Sequence, residues 1–200
     1  MQQTRLIVGI SGASGAIYGI RLLEVLARRP EIETHLVISP TARLVIAQET
    51  DRTPAQVDAL ANHAYAFDDL AASIASGSFT TGGMVIAPCS IKRLSAVANA
   101  YAADLMSRAA DVILKEGRPL VLVVRETPLH QGHLRLMQRA AENGAIIFPP
   151  VPAFYGRPET IDDLVDGTVG RVLARLGVES ELYTRWGDVS RIDGGLAIDI

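Results

Sequence analysis

Short apolar runs rich in Val and Ile alternate with helical patterns along most of this 200-residue chain, and no other feature constrains its fold as much. The runs are Leu6 to Ile10, His35 to Ile38, Met84 to Ala87, Leu120 to Val124 and Ala145 to Phe148. Near-continuous apolar runs of this length fit strands covered on both faces, as in parallel sheets. Between them lie helix patterns: Ile17 to Arg28, a short Thr41 to Gln48, and a long Ser90 to Lys115 with a break near Asn99. Leu134 to Glu142 is closed by Asn143-Gly144, a good C-terminal stop. Thr160, with Asp163 three residues on, has the form of a capping box in which Asp replaces the usual Glu or Gln. It opens a helix running to about Leu176. The order predicts an α/β fold with a mostly parallel sheet and right-handed crossovers. Residues 74–83 form a small-residue loop too brief to divide domains, and Pro149, Pro150 and Pro152 mark a rigid bend. One domain is therefore expected over residues 1–189, with Ser190 to Ile200 an unassigned tail.

Composition narrows the function classes. Hydrophobic residues make up 48% and charged residues 20%, enough apolar surface for a core and too much for global disorder. A net charge of −3 is no footprint for nucleic acid or anionic membrane, where a basic excess supplies most of the affinity. The single cysteine, Cys89, excludes an internal disulfide framework and a cysteine-built zinc site. His130 and His133, without a third ligand nearby in sequence, read as surface histidines, and no metal is expected. The N-terminus enters a strand pattern at once, and no apolar stretch approaches the roughly 20 residues that span a bilayer. A cytoplasmic globular protein is the expectation.

Ligands in open α/β sheets sit beyond the carboxyl ends of the strands, and the atypical residues fall there repeatedly. The runs are followed in turn by Ser11-Gly12-Ala13-Ser14-Gly15, Ser39-Pro40, Pro88-Cys89-Ser90-Ile91-Lys92-Arg93, Arg125-Glu126 and Pro149 to Tyr155. The first loop reads Gly9-x-x-Gly12-x-x-Gly15, whose small residues expose amides at a helix start, as a phosphate requires. It is neither a dinucleotide fingerprint nor a Walker A motif. The second run ends in Ser39, where an NAD site would offer a carboxylate to the ribose. NAD is thus disfavoured and FMN fits better, while a tight turn without ligand remains the bland reading of the loop. Ser90 can cap a helix, and Cys89 reads as a small buried filler. Arg108 and Lys115, seven apart, share a helix face that alone would be called a solvated basic surface. Glu49, Tyr155 and Arg171 say nothing in isolation, and Trp186 reads as packed on the core or on a neighbouring subunit.

Taken together and in order, these segments carry a specific signal. Gly12-Ala13-Ser14-Gly15, Glu49-Thr50-Asp51, Ser76-Gly77-Ser78, Pro88-Cys89-Ser90, Arg108-Ala109-Ala110-Asp111-Val112, Arg125-Glu126-Thr127-Pro128-Leu129, Pro152-Ala153-Phe154-Tyr155 and Arg185-Trp186-Gly187 are its main stretches. The chain resembles the flavin prenyltransferases (UbiX-type) from Leu6 to about Gly187. The resemblance implies a Rossmann-like three-layer α/β/α fold and a homo-oligomer, commonly a dodecamer. It implies transfer of a dimethylallyl group from dimethylallyl phosphate to N5 and C6 of reduced FMN, and a UbiD-type decarboxylase as recipient of the prenylated FMN. By the same match, Gly12, Ala13, Ser14, Ser39, Ser90, Ile91, Lys92, Arg93 and Arg125 bind FMN. Arg108, Lys115, Tyr155, Arg171 and Trp186 surround the prenyl phosphate, some reaching across a subunit boundary. Glu49, Glu126, Ser14 and Lys115 form the catalytic set, with the carboxylates handling protons. One departure stands out: Arg93 occupies the place of the family's usual Thr, where a flexible cation could alter the flavin or phosphate contacts.

The implied chemistry makes sense of these residue types. Breaking an allylic C–O bond leaves a delocalised cation and a phosphate dianion, which Lys and Arg stabilise. Aromatic faces favour the cation, and loss of the C6 proton needs a base. Side-chain cations make a metal unnecessary, in keeping with the lack of an Asp-rich magnesium motif. Two other readings compete. An FMN-dependent cysteine decarboxylase would need an early active-site His and an Asn-rich third loop, but His35 lies inside a strand run. A non-catalytic flavin-binding subunit of a decarboxylase complex would leave the basic cluster unexplained.

Overall fold

A computed structural model describes residues 3–186 of the chain. The first half runs β1 (Thr4–Ile10), α1 (Ala16–Leu26), β2 (Ile32–Ile38), α2 (Pro40–Glu49), α3 (Pro54–Asp58) and β3 (His63–Tyr65). A single 3-10 turn at Ser73–Ala75 leads to β4 (Gly83–Cys89), α4 (Ile91–Ala98), α5 (Leu105–Lys115) and β5 (Leu120–Val124). α6 (Gln131–Glu142), β6 (Ile146–Ile147) and α7 (Ile161–Arg175) complete it. The strands form one six-stranded sheet in the order β3-β2-β1-β4-β5-β6, and every pairing in it is parallel. This is the single-domain Rossmann-like α/β architecture, and the strand order reverses between β1 and β4.

Alternation along β1 sorts the helices into two layers. Leu6, Val8 and Ile10 pack with α1, α2, α3 and α7, whereas Ile7 joins the core built with α4, α5 and α6. β4 and β5 are buried at every residue, which is why they read as continuous apolar runs. Gly19 allows α1 to lie close on β4, since a Cβ there would stand 2.3 Å from the Ala87 carbonyl oxygen. Arg21 ties α1 to α7 through both carboxylate oxygens of Asp166, at 2.6 and 3.0 Å. Thr160 and Asp163 form the expected capping box at the start of α7.

The expected strands and helices are all present, with bounds moved by a few residues. The break near Asn99 is real: α4 ends at Ala98, and Asp104 caps α5 by accepting the Ser107 amide. Two elements had no apolar signal. β3 is a three-residue edge strand with His63 and Ala64 exposed, held by backbone pairing to β2. α3 is one short turn, opened by a Thr53–Gln56 capping box. No helix among the described residues is long and apolar enough to cross a membrane. The patternless tail from Ser190 to Ile200 lies outside the described residues.

Candidate active site

The loops at the carboxyl edge are bonded to one another where the strand order reverses. The buried Ser11 hydroxyl donates to the Pro88 carbonyl at 2.8 Å and accepts from the Ser90 amide at 2.8 Å. The Arg125 amide donates to the Cys89 carbonyl at 3.1 Å, and the Ser39 amide to the Ile10 carbonyl at 3.0 Å. Gly15 opens α1 at φ 99°, a left-handed conformation that glycine adopts without strain. Gly12 lies against the start of α2, where a Cβ would meet the Thr41 side chain at 2.6 Å.

These loops leave backbone donors free. Among the described residues, the amides of Gly12, Ser14, Ile91 and Lys92 have no acceptor, and the last two begin a helix. Such a cradle of amides at a strand-order reversal suits an anionic mononucleotide, so the residues present fit FMN. Ser90 caps α4 by accepting the Arg93 amide, and Ser39, buried, caps α2 by accepting the Ala42 amide. Both hydroxyls therefore have structural work besides any ligand contact.

Glu49 closes the front of the first loop. Its carboxylate accepts the Gly15 amide at 2.8 Å and the Ala16 amide at 3.4 Å. Burial opposes its ionisation, but hydrogen bonds from the Ser14 hydroxyl and these amides, with Arg125 nearby, hold it below the ordinary carboxylate range. Tyr18 joins the group: burial pushes its hydroxyl up, while Arg125 pulls the other way. Glu49, Ser14, Arg125 and Tyr18 thus converge. Glu126 is exposed beside them, one carboxylate oxygen accepting the Thr127 amide at 3.0 Å. Cys89 is the buried filler expected, its thiol pushed up to about 12 by burial.

Arg93 departs from expectation in its direction. Its side chain is only 5% exposed and turns inward, placing Nη1 2.8 Å from both carboxylate oxygens of Asp104. It also bonds the Ser107 hydroxyl and stacks over Phe67 at 5.4 Å. Its guanidinium thus joins α4 to the cap of α5, and only its backbone borders the cradle.

The prenyl-phosphate residues fall into two groups. Tyr155 meets the Trp186 ring edge-on at 5.4 Å, and Tyr155 and Arg171 line a cleft of about 530 Å³ between residues 153–159 and α7. Arg171 also lies over the Phe148 ring, 6.0 Å from its centroid. Arg108 and Lys115 do share a helix face, against the 3-10 turn and the residues that follow it. Arg108 donates to the Ala75 carbonyl at 3.1 Å, and Lys115 lies beside Gly77, paired with Glu116. Yet α5 belongs to the opposite helix layer from α7, and Lys115 is at its far end, near the amino end of β5. One chain does not bring the two groups together.

Ser11 and Tyr18 are site residues that the sequence reading missed. Ser11 stood inside a loop already explained by its glycines, and Tyr18 was absorbed into an apolar helix pattern.

A parallel sheet with an amide cradle at its order reversal is a frame suited to a mononucleotide, and residues 1–173 match the family described as Flavoprotein, which places the chain among the flavoproteins. Flavin prenyltransferase UbiX of Escherichia coli K12 is 60% identical over 184 residues, covering 91% of this chain and 97% of that protein. The crystal structure of AnUbiX (PadA1) in complex with FMN and dimethylallyl pyrophosphate superposes with a TM-score of 0.90 at 48% identity. It covers 92% of this chain and 98% of that one. A dodecameric FMN-dependent UbiX-like decarboxylase from Escherichia coli O157:H7 gives a TM-score of 0.89 at 48% identity, over 92% and 99% of the two chains. The chain belongs to the UbiX flavin prenyltransferases.

Proposed function

We infer that the protein transfers a dimethylallyl group from dimethylallyl phosphate to N5 and C6 of reduced FMN. The observation that carries this is the amide cradle closed by Ser14, Glu49 and Arg125, in a chain of this family. Bound reduced flavin supplies the electron-rich ring that accepts the allyl group. The protein supplies position and charge. Free amides of the first and third loops hold the flavin's anionic tail, and Arg125 lies against the same site. Arg171 and Tyr155 bind the phosphate as negative charge grows on it, while the Trp186 and Tyr155 faces stabilise the allylic cation. Glu126, exposed and directly after β5, is the group we assign to take the C6 proton, and Glu49 stays ionised to orient Ser14.

Arg108 and Lys115 reach that phosphate from a second copy of the chain, because within one chain they lie in the other helix layer. The exposed apolar side chains of Val151, Phe154 and Trp186 around the cleft fit cover by another copy, and a dodecamer is the assembly proposed. The product passes to a UbiD-type decarboxylase. The setting is the cytoplasm, consistent with a free buried thiol. The cysteine decarboxylase alternative loses its candidate His35, which is buried inside β2 against Tyr65.

The test is anaerobic incubation with reduced FMN and either dimethylallyl monophosphate or diphosphate, followed by mass spectrometry of the flavin. A flavin heavier by one C5H8 unit is expected. Unchanged FMN with both donors would refute the reading. In the same assay, Glu126→Gln should keep FMN bound while making little product; unimpaired turnover would move the proton to Glu49 or to the departing phosphate.

A further inference from the structure

We propose that Glu33, His35 and His63 form a binding site for a divalent transition-metal ion, best suited to Zn2+, on the β2–β3 edge of the sheet. The site rests on nothing in the transfer reaction. His35 lies four residues before Ser39, about 13 Å along the strand from the carboxyl edge.

Register and alternation bring the three ligands together. His35 pairs with His63 across β2 and β3, and Glu33, two residues before His35, points to the same face. One oxygen of Glu33 lies 2.9 Å from His63 Nε2 and 3.5 Å from His35 Nε2, and all three ligand atoms fall within 4.8 Å of one another. In a tetrahedral zinc site with bonds of about 2.0–2.1 Å, neighbouring ligand atoms are about 3.3 Å apart. Small side-chain rotations would suffice. The imidazoles already stack, their centroids 4.9 Å apart at 16°.

The decisive atom is His35 Nε2. His35 is 1% exposed, and Nε2 has no hydrogen-bond partner among the described residues. Its other nitrogen, Nδ1, lies 2.9 Å from the Tyr65 hydroxyl, which is 3.1 Å from the Ser73 hydroxyl. With the proton on Nδ1, donated to Tyr65, Nε2 presents a bare lone pair to a carboxylate oxygen 3.5 Å away. In that tautomer the two acceptors repel, and a cation between them would resolve it. A hydrogen bond that fixes the tautomer through the distal nitrogen is the arrangement metal-bound histidines use. Imidazole and a carboxylate match zinc, and a water would complete four-coordination. The other oxygen of Glu33 accepts from Arg5 Nε at 3.0 Å, so Glu33 would bind through one oxygen only. Occupancy would clip the three-residue β3 to β2.

Isothermal titration of the chelator-stripped full chain with Zn2+ tests this, with Co2+ as a spectroscopic substitute. One saturable site per chain and the visible bands of tetrahedral Co2+ are expected. His63→Ala and Glu33→Gln should each weaken binding at least tenfold. His63 is exposed, so its variant should keep the melting temperature of the metal-free protein and full prenyl transfer. Absence of saturable binding would overturn the proposal. Undiminished binding in His63→Ala would do so too, and would point to the His130–His133 pair, whose rings are 3.6 Å apart.

Discussion

Replacing Arg93 with Met should destabilise the protein by about 3 kcal/mol, and the reason lies in what the substitution leaves behind. Removing one member of a buried ion pair costs about 3–5 kcal/mol because its partner stays buried and uncompensated. Arg93 is 5% exposed, but Asp104 is 18% exposed and retains the Ser107 amide at 3.0 Å, which places the expected loss at the lower end. Met keeps the packing of the aliphatic stem, so the loss reports the charge rather than a cavity. Urea unfolding followed by circular dichroism, at one fixed protein concentration so that any contribution from assembly is held constant, should show a midpoint about 1–1.5 M lower. The double variant Arg93→Met/Asp104→Asn should recover more than half of the loss, since Asn caps helices as well as Asp and carries no charge. Arg93→Thr, which restores the residue usual in the resemblance, should fail like Met, because its hydroxyl cannot reach Asp104. A loss below about 0.5 kcal/mol, or a double variant as unstable as the two single losses added, would refute the reasoning.

Three further outcomes are expected. Ser11→Ala removes the acceptor of the Ser90 amide and should weaken FMN binding measurably by fluorescence titration, with about 1–3 kcal/mol lost from stability; unchanged FMN affinity would show that the loops hold without it. Arg171→Ala should weaken prenyl-phosphate binding about ten- to a hundredfold while leaving FMN bound, as titration into FMN-loaded protein would reveal; equal affinities would remove Arg171 from the site. His35 is pushed down to about 4, chiefly by burial and against the pull of Glu33, with His63 and Arg5 adding to the lowering. The unfolded chain binds that proton near pH 6.5, so metal-free protein should have the full contribution above that pH. It should lose up to about 3 kcal/mol as pH falls toward 4. A His35 resonance titrating near 6.5 in the folded protein would contradict this.

The parts legible in the sequence were those that repeat or punctuate. β4 and β5 announced themselves because both faces are covered, so every residue had to be apolar. The caps at Ser90 and Thr160 were readable because a side chain three residues from its partner leaves a local trace. β3 was hidden because an exposed edge strand of three residues gains its stability from its neighbour's backbone. The inward turn of Arg93 was hidden for another reason: its partner, Asp104, stands eleven residues away on another helix. The separation of Arg108 and Lys115 from Arg171 is a property of sheet order, which no local pattern encodes. Tyr18 shows the converse difficulty, as a helix residue whose neighbour, Arg125, comes from a distant strand end.

The burial of Cys89 has a practical consequence. With its thiol held at about 12 and no exposed sulfur beside it, the side chain carries almost no thiolate at neutral pH. Maleimides and peroxide would find no reactive thiol at this position. A cysteine introduced on the surface would therefore be the sole reactive thiol without first removing the native one. A probe attached beside the Tyr155 cleft could then report the approach of a second copy by fluorescence.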